Sequence, residues 1–243
     1  MTSSPVSGQL EISNDPDALA HRVAEWFADT VVATPGTVRV ALSGGSTPKE
    51  LYTLLGGEPF VGRIPWERLE LFWGDERFVP HDDPASNYRM VREALLSRTP
   101  VPPDKIHPMP VEGAPADAAV RYETLLKRIY GADEFDPARP FFHVMLLGLG
   151  SDGHTASLIP GQPVLEERKR WVAAVTGGRA EIRITLTYPT IESSRIIAFL
   201  ATGTEKAAAA AAVRAGDENL PAARIRPCGE VIWFLDRAAA GGA

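Results

Sequence analysis

The residues of this chain that could do chemistry gather in three short turns, each directly after an apolar run. In the first, Leu146-Leu147-Gly148-Leu149-Gly150 runs into Ser151-Asp152-Gly153-His154-Thr155-Ala156-Ser157. A histidine beside a carboxylate can be held in one tautomer and made more basic, as a general base requires. A structural Asp-Gly turn carrying a surface histidine would give the same motif, so the motif alone leaves both open. In the second turn, Ser43-Gly44-Gly45-Ser46-Thr47-Pro48, Gly44 and Gly45 let the backbone turn tightly and approach a ligand. The helix expected to follow presents free N–H groups and the positive end of its dipole, and Ser43, Ser46 and Thr47 add hydroxyls, an arrangement suited to phosphate. A helix cap after a tight turn fits the same residues. In the third, Gly74-Asp75-Glu76-Arg77, Arg77 can grip a phosphate through two parallel hydrogen bonds, and either acid can hold sugar hydroxyls. A self-paired surface cluster is the competing reading there.

Four further residues join these turns. Ser86-Asn87-Tyr88 opens a helix, with Ser86 as its cap and Asn87 able to reach a ligand. In Thr202-Gly203-Thr204-Glu205-Lys206, a lysine sits just inside a helix start, where a cation opposes the dipole. A phosphate shared with the glycine turn would give Lys206 a reason to be there. Arg183, opening Ile184-Thr185-Leu186-Thr187, is a further candidate.

Several chemistries are excluded. Gly148-Leu149-Gly150-Ser151-Asp152-Gly153 fits a dinucleotide fingerprint, but Pro160-Gly161 interrupts the helix that fingerprint needs, and the motif falls past mid-chain. The serine-glycine turn lacks the lysine of a nucleotide-binding phosphate loop. No Gly-x-Ser-x-Gly elbow is present. Cys228 is the sole cysteine, so neither an internal disulfide nor a cysteine metal cluster can form. No pair of histidines has metal-ligand spacing; His143 is expected to pack within a strand, and His81 and His107 to lie in Pro-containing loops. A formal charge of −6 argues against nucleic acid as partner. The densest basic run, Arg168-Lys169-Arg170, follows two glutamates and reads as solvated. No apolar stretch approaches the ~20 residues of a membrane span, and the polar start lacks signal-peptide features, so a cytoplasmic protein is expected.

The elements that must position these turns follow from the apolar pattern. Asp15 caps a helix with Pro16 in its first turn and Leu19, Val23, Trp26, Phe27 and Val31 at helical spacing. A strand over 38–42 precedes a helix from Thr47, with Pro48 first inside and Glu50 reaching back as a capping box. Strands are expected over 69–73, 142–147, 182–187, 196–201 and 231–235, and helices over 86–96, 115–130 and 204–215. The Pro-rich stretch 100–115 reads as a loop. Alternating strands and helices predict an α/β fold, a Rossmann-like, mainly parallel sheet with helices on both faces and ligands at its carboxyl edge. At 44% hydrophobic residues, the 243-residue chain can bury one large core. A single domain over 1–243 is expected, with 1–8 and 238–243 as flexible tails and a monomeric or weakly dimeric state.

Taken together in order, Ala41 to Pro48, Trp73 to Arg77, Ser86-Asn87-Tyr88, Gly148 to Leu158 with Pro160-Gly161, Arg183 to Thr187 and Thr202-Gly203 with Lys206 resemble the 6-phosphogluconolactonase family of the glucosamine/galactosamine-6-phosphate isomerase superfamily. The resemblance is collinear over nearly the whole chain. It implies the sheet of glucosamine-6-phosphate deaminase, and hydrolysis of 6-phospho-D-glucono-1,5-lactone to 6-phospho-D-gluconate in the oxidative pentose phosphate pathway. A small sugar phosphate lactone is then the partner, with no metal or organic cofactor. By resemblance, His154 is the base that activates water, with Asp152 beside it. Arg77 and Lys206 hold the phosphate with the turn Ser43, Gly44, Gly45, Ser46 and Thr47; Asp75 and Asn87 contact the sugar, and Arg183 joins the binding residues. The related deaminases usually carry Asn-Glu-Pro-Gly after the histidine. Here Leu158-Ile159-Pro160-Gly161 puts an aliphatic side chain where that acid would serve ring opening. A catalytically silent sugar-phosphate sensor would have no need of His154, Asp152 and Asp75 together.

Overall fold

Apolar runs form strands and amphipathic runs form helices largely where the residue pattern indicates. The computed structural model describes Val6 and residues 8–242. The strands are β1 (Gln9–Ser13), β2 (Val38–Leu42), β3 (Leu69–Trp73), β4 (Asp75–Arg77), β5 (Ile106–His107), β6 (Phe142–Gly148), β7 (Val172–Val175), β8 (Arg183–Leu186), β9 (Ser194–Ala201) and β10 (Glu230–Asp236). The α-helices are α1 (Pro16–Ala33), α2 (Ser46–Leu55), α3 (Phe60–Arg63), α4 (Asn87–Ala94), α5 (Pro115–Tyr130), α6 (Tyr188–Glu192) and α7 (Ala207–Arg214).

Seven strands form one parallel sheet in the order β1-β10-β9-β6-β2-β3-β5, flanked by helices. The chain steps outward from β2 through β3 to β5, and in the other direction from β6 through β9 to β10. Its connections therefore diverge between β2 and β6, and the carboxyl ends of those two strands open a crevice. The serine-glycine turn leaves one of these ends and the Asp-Gly-His turn the other. β6 is buried on both faces, as its near-continuous apolar run requires. Helix α1 is capped by Asp15, whose side chain accepts from the Ala18 N–H at 2.8 Å, and α5 stops at Gly131 with φ 80°.

The structure departs from the sequence expectation in a few places. The segment over 182–187 does not join the parallel sheet; β8 lies between β4 and β7 in a small antiparallel sheet. Helix α2 starts at Ser46, with Gly45 at its cap position at φ 108° and no side-chain cap. Glu50 therefore closes no capping box; the neighbouring Asp17 of α1 holds its carboxyl above the usual carboxylate range. The stretch over 204–215 begins as a 3-10 turn (Thr204–Lys206) before α7, because Gly203 enters it at φ 94°. The 100–115 loop contains a 3-10 turn (Pro103–Lys105) and β5, which carries His107. Of the expected tails, residues 1–5, Ser7 and Ala243 lie outside the described residues. Within the rest, the Val6 carbonyl accepts from the Trp233 indole at 2.9 Å and Ala239 is buried.

Candidate active site

The second turn is fixed from beneath. The fully buried Tyr52 of α2 accepts from the Ser43 N–H and donates to the Ser43 carbonyl, both at 2.9 Å, and burial pushes its phenol up. Gly44 is needed because a Cβ there would stand 2.1 Å from Asn87 Oδ1. With Gly45 at its cap position, α2 aims its first N–H groups at the crevice. The Thr47 hydroxyl meets that of Thr202 at 2.9 Å, joining this turn to the end of β9. The buried Asp236 accepts from the Gly203 N–H at 3.1 and 3.2 Å and holds the segment that carries Lys206.

Residues 75–77 divide between two faces. Asp75 is buried; its Oδ2 accepts from Ser157 Oγ at 2.6 Å and lies 3.8 Å from Arg183 Nη1. Its carbonyl accepts from Asn87 Nδ2 at 2.9 Å. Glu76 turns inward, so it cannot hold a ligand. Its carboxylate accepts from the N–H groups of Arg77, Asn87 and Tyr88 at 2.7 Å each and from Ser86 Oγ at 3.0 Å. Burial pushes its carboxyl up against the pull of these donors. Ser86 caps α4 as expected, accepting from the Arg89 N–H. Arg77 stands opposite Arg183 across the β4–β8 pair. Burial, and then the Arg77 charge, pull the Arg183 guanidinium below the usual arginine range, with Asp75 and Glu181 opposing. Both arginines line the cleft, and each keeps a buried Nε with no hydrogen-bond partner among the described residues, a donor that a bound anion could satisfy.

The first turn presents the imidazole. Gly150 donates to the His154 carbonyl at 2.8 Å and accepts from the Gly153 N–H at 3.0 Å, and Thr155 Oγ1 donates to Gly148 O at 2.8 Å. His154 Nδ1 lies 2.5 Å from Asp152 Oδ1, while Nε2 makes no hydrogen bond among the described residues. Partial burial works to raise the Asp152 carboxyl, but hydrogen bonds from Arg179 and His154 outweigh it and hold it well below the usual carboxylate range. Arg179 escaped the sequence reading. Its Nη2 donates to Asp152 Oδ2 at 2.7 Å, and the Gly177-Gly178 pair before it is the signal that could have drawn notice.

The structure brings Ser43, Gly44, Gly45, Ser46, Thr47, Asp75, Arg77, Asn87, His154, Arg183 and Lys206 onto the wall of one cleft of about 210 Å³. Asp152 stands behind the imidazole, off that wall. Three permanent cations against Asp75 make the cleft electropositive in a chain of net charge −6, which favours a small anion. Among the described residues, no group of three or more His, Cys, Asp or Glu is placed to hold a metal ion, and no helix is long and apolar enough to cross a membrane.

Comparison with known proteins shows the family and the fold. The model of the family described as glucosamine-6-phosphate isomerases/6-phosphogluconolactonase matches residues 14–233. A 6-phosphogluconolactonase of Nostoc sp. is 38% identical over 239 residues, covering 95% of this chain and 96% of its own. The solved 6-phosphogluconolactonase of Trypanosoma cruzi superposes with a TM-score of 0.84 at 30% identity, over 99% of this chain and 98% of its own. A monomeric glucosamine-6-phosphate deaminase shares the fold, with a TM-score of 0.82 at 22% identity over 97% of this chain and 100% of its own.

Proposed function

The chain belongs to the glucosamine-6-phosphate isomerase/6-phosphogluconolactonase family, and from that premise we propose that it hydrolyses 6-phospho-D-glucono-1,5-lactone, with His154 as general base. One observation carries the reading. The imidazole has Nδ1 committed to a carboxylate and Nε2 uncommitted, on the wall of a cation-lined cleft where the connections leaving two paired parallel strands diverge. In place of the glutamate a deaminase would present after the histidine, Ile159 is aliphatic and buried, which favours ester hydrolysis over ring-opening proton transfer.

Arg77, Arg183 and Lys206, with the N–H groups at the start of α2, bind the phosphate; Asp75 and Asn87 meet the sugar hydroxyls. Water then lies between His154 Nε2 and the lactone carbonyl carbon. Nε2 takes a proton from the water as its oxygen bonds to that carbon, and the carbonyl electrons move onto oxygen. Backbone N–H groups of the glycine turns are suited to stabilise this oxyanion. The intermediate collapses by breaking the bond to the ring oxygen, which receives the proton back from Nε2. No covalent enzyme intermediate is needed. The other expectations go with the reading: a cytoplasmic enzyme of the oxidative pentose phosphate pathway, monomeric or weakly dimeric, working without metal or organic cofactor.

The acid product ionises, so a pH-stat reads the reaction directly. Purified protein added to fresh lactone in the presence of EDTA should release protons well above the uncatalysed rate. His154→Ala should lower turnover by ~10²–10⁴-fold, the usual contribution of a positioned base. No acceleration over background sinks the lactonase reading; undiminished turnover in His154→Ala sinks the role of the histidine.

A further inference from the structure

The segment over 176–182, between β7 and β8, carries a cation into the back of the His154–Asp152 pair. Arg179 Nη2 donates to Asp152 Oδ2 at 2.7 Å and lies 3.0 Å from His154 Nδ1, while Nη1 donates to the Gly178 carbonyl at 2.7 Å. The two glycines before it make this approach possible. A Cβ on Gly177 would stand 2.7 Å from Gln162 Oε1, and one on Gly178, at φ +79°, would stand 2.8 Å from Ile159 Cγ2. At Gly178 the left-handed backbone and Ile159 together exclude a side chain, whereas at Gly177 the end of Gln162 would have to move; the loop packed here carries Arg179 to Asp152.

The imidazole Nδ1 cannot serve both neighbours. With a proton it donates to Asp152 Oδ1; with a lone pair it would accept from Arg179 and face the carboxylate oxygen at 2.5 Å in repulsion. The carboxylate contact is the closer one and Arg179 already has Oδ2, so the proton sits on Nδ1. Each oxygen of Asp152 then has one charged or ring donor: Arg179 takes Oδ2 and leaves Oδ1 to the imidazole. Without Arg179, the Asp152 side chain, 40% exposed, keeps only its Oδ1 contacts, to the ring and to the His154 N–H at 3.2 Å, and can turn toward water and release the ring more readily. A released ring can carry its proton on Nε2, where it is useless as a base.

We propose that Arg179 is a positioning residue for the reaction: by holding Asp152 through Oδ2, it keeps His154 in the Nδ1–H tautomer with Nε2 free to accept a proton. The proposal rests on the reading of His154 as base and adds a residue to it.

Arg179→Gln, Arg179→Lys and His154→Ala should be compared by steady-state kinetics on the lactone, thermal melting, and NMR of ¹⁵N-labelled histidine rings. In Arg179→Gln, kcat should fall about tenfold, the scale of one lost charge-assisted hydrogen bond. KM should stay within about twofold, since Arg179 touches no phosphate-binding group. The His154 ring signals, assigned by their loss in His154→Ala, should report the Nδ1–H form in the wild type and a growing share of the Nε2–H form in Arg179→Gln. Arg179→Lys should return the signal and most of kcat, because it restores the charge. Wild-type kcat with an unchanged ring signal in Arg179→Gln overturns the proposal. So does an equal loss in both variants with a lowered melting temperature and an unchanged ring signal, which would make Arg179 merely structural. Should His154→Ala keep full turnover, the base reading fails, while the ring signal still decides whether Arg179 sets the tautomer.

Discussion

Gly150→Ala tests the placement of the imidazole with the smallest possible perturbation. A Cβ at this position would stand 1.9 Å from His154 Nδ1, 2.2 Å from Cε1 and 2.5 Å from Asp152 Oδ1. Ordinary contact begins near ~3.5 Å, so the ring must retreat by about 1.5 Å. The backbone cannot retreat instead, because Gly150 is tied to the turn at 2.8 Å through its N–H and at 3.0 Å through its carbonyl. The His154 side chain is 30% exposed and can swing outward. The stability cost is then about 1 kcal/mol for one hydrogen bond, or about 2–4 °C in melting temperature for a chain of this size. Catalysis loses far more, because a misplacement of about 1 Å can cost ~10²-fold. The expected variant melts within a few degrees of wild type, has a KM within about twofold, and a kcat lower by about 10²-fold. Steady-state pH-stat kinetics beside a thermal melt measures all three. A kcat within about threefold of wild type refutes the reasoning, because the crowded ring would then not be the base.

Three other outcomes are expected. Arg77→Ala should raise KM by about 10–100-fold, the loss of a charged hydrogen-bonding group, with kcat nearly kept; a loss confined to kcat contradicts its phosphate role. Glu76→Gln turns an amide N–H₂ toward donors it cannot satisfy, so melting should fall by about 4–8 °C for a cost of about 2 kcal/mol; an unchanged melt refutes the burial argument. The Asp152 carboxyl sits below its ordinary range in the folded protein, so the unfolded chain binds that proton first as pH falls. Its contribution is present above the unfolded value, about 4, and is lost as pH falls further, so Asp152→Asn should flatten the decline of melting temperature below about pH 4. Superimposable wild-type and variant profiles would count against it.

The cleft was readable because its turns follow apolar strands, and a turn at a strand end needs no long-range information to be recognised. Tertiary pairing was not readable. Apolar alternation marks β8 as a strand but does not say that its partners are β4 and β7 rather than the parallel sheet, and β4 has only three residues to signal it. Likewise, nothing local to Gly177-Gly178-Arg179 shows that it packs on Ile159 and meets a carboxylate 27 residues earlier. Glu50 shows the opposite failure: a local rule predicted a capping box at Thr47, and the helix instead starts at Ser46 behind Gly45, which has no side chain to cap it.

The small sheet explains why neighbouring residues of like chemistry do different work. Successive side chains on a strand point to opposite faces. Asp75 and Arg77 therefore share the cleft face of β4, while Glu76 between them points into the protein and accepts from the first two N–H groups of α4. The register carries the same split across the pair: Asp75 faces Thr185 and Arg77 faces Arg183, whereas Glu76 faces the fully buried Ile184. Thr185 in turn accepts from the Ser157 N–H at 3.1 Å, and Ser157 Oγ returns to Asp75, so the histidine turn is bolted to the same face. The acid we assign to the sugar, the two arginines we assign to the phosphate and the turn that carries His154 are thus held by one short antiparallel pairing. A slip of one residue in that pairing would put Glu76 in the cleft and bury Arg77, so the register of these three residues matters more to the site than the identity of either acid.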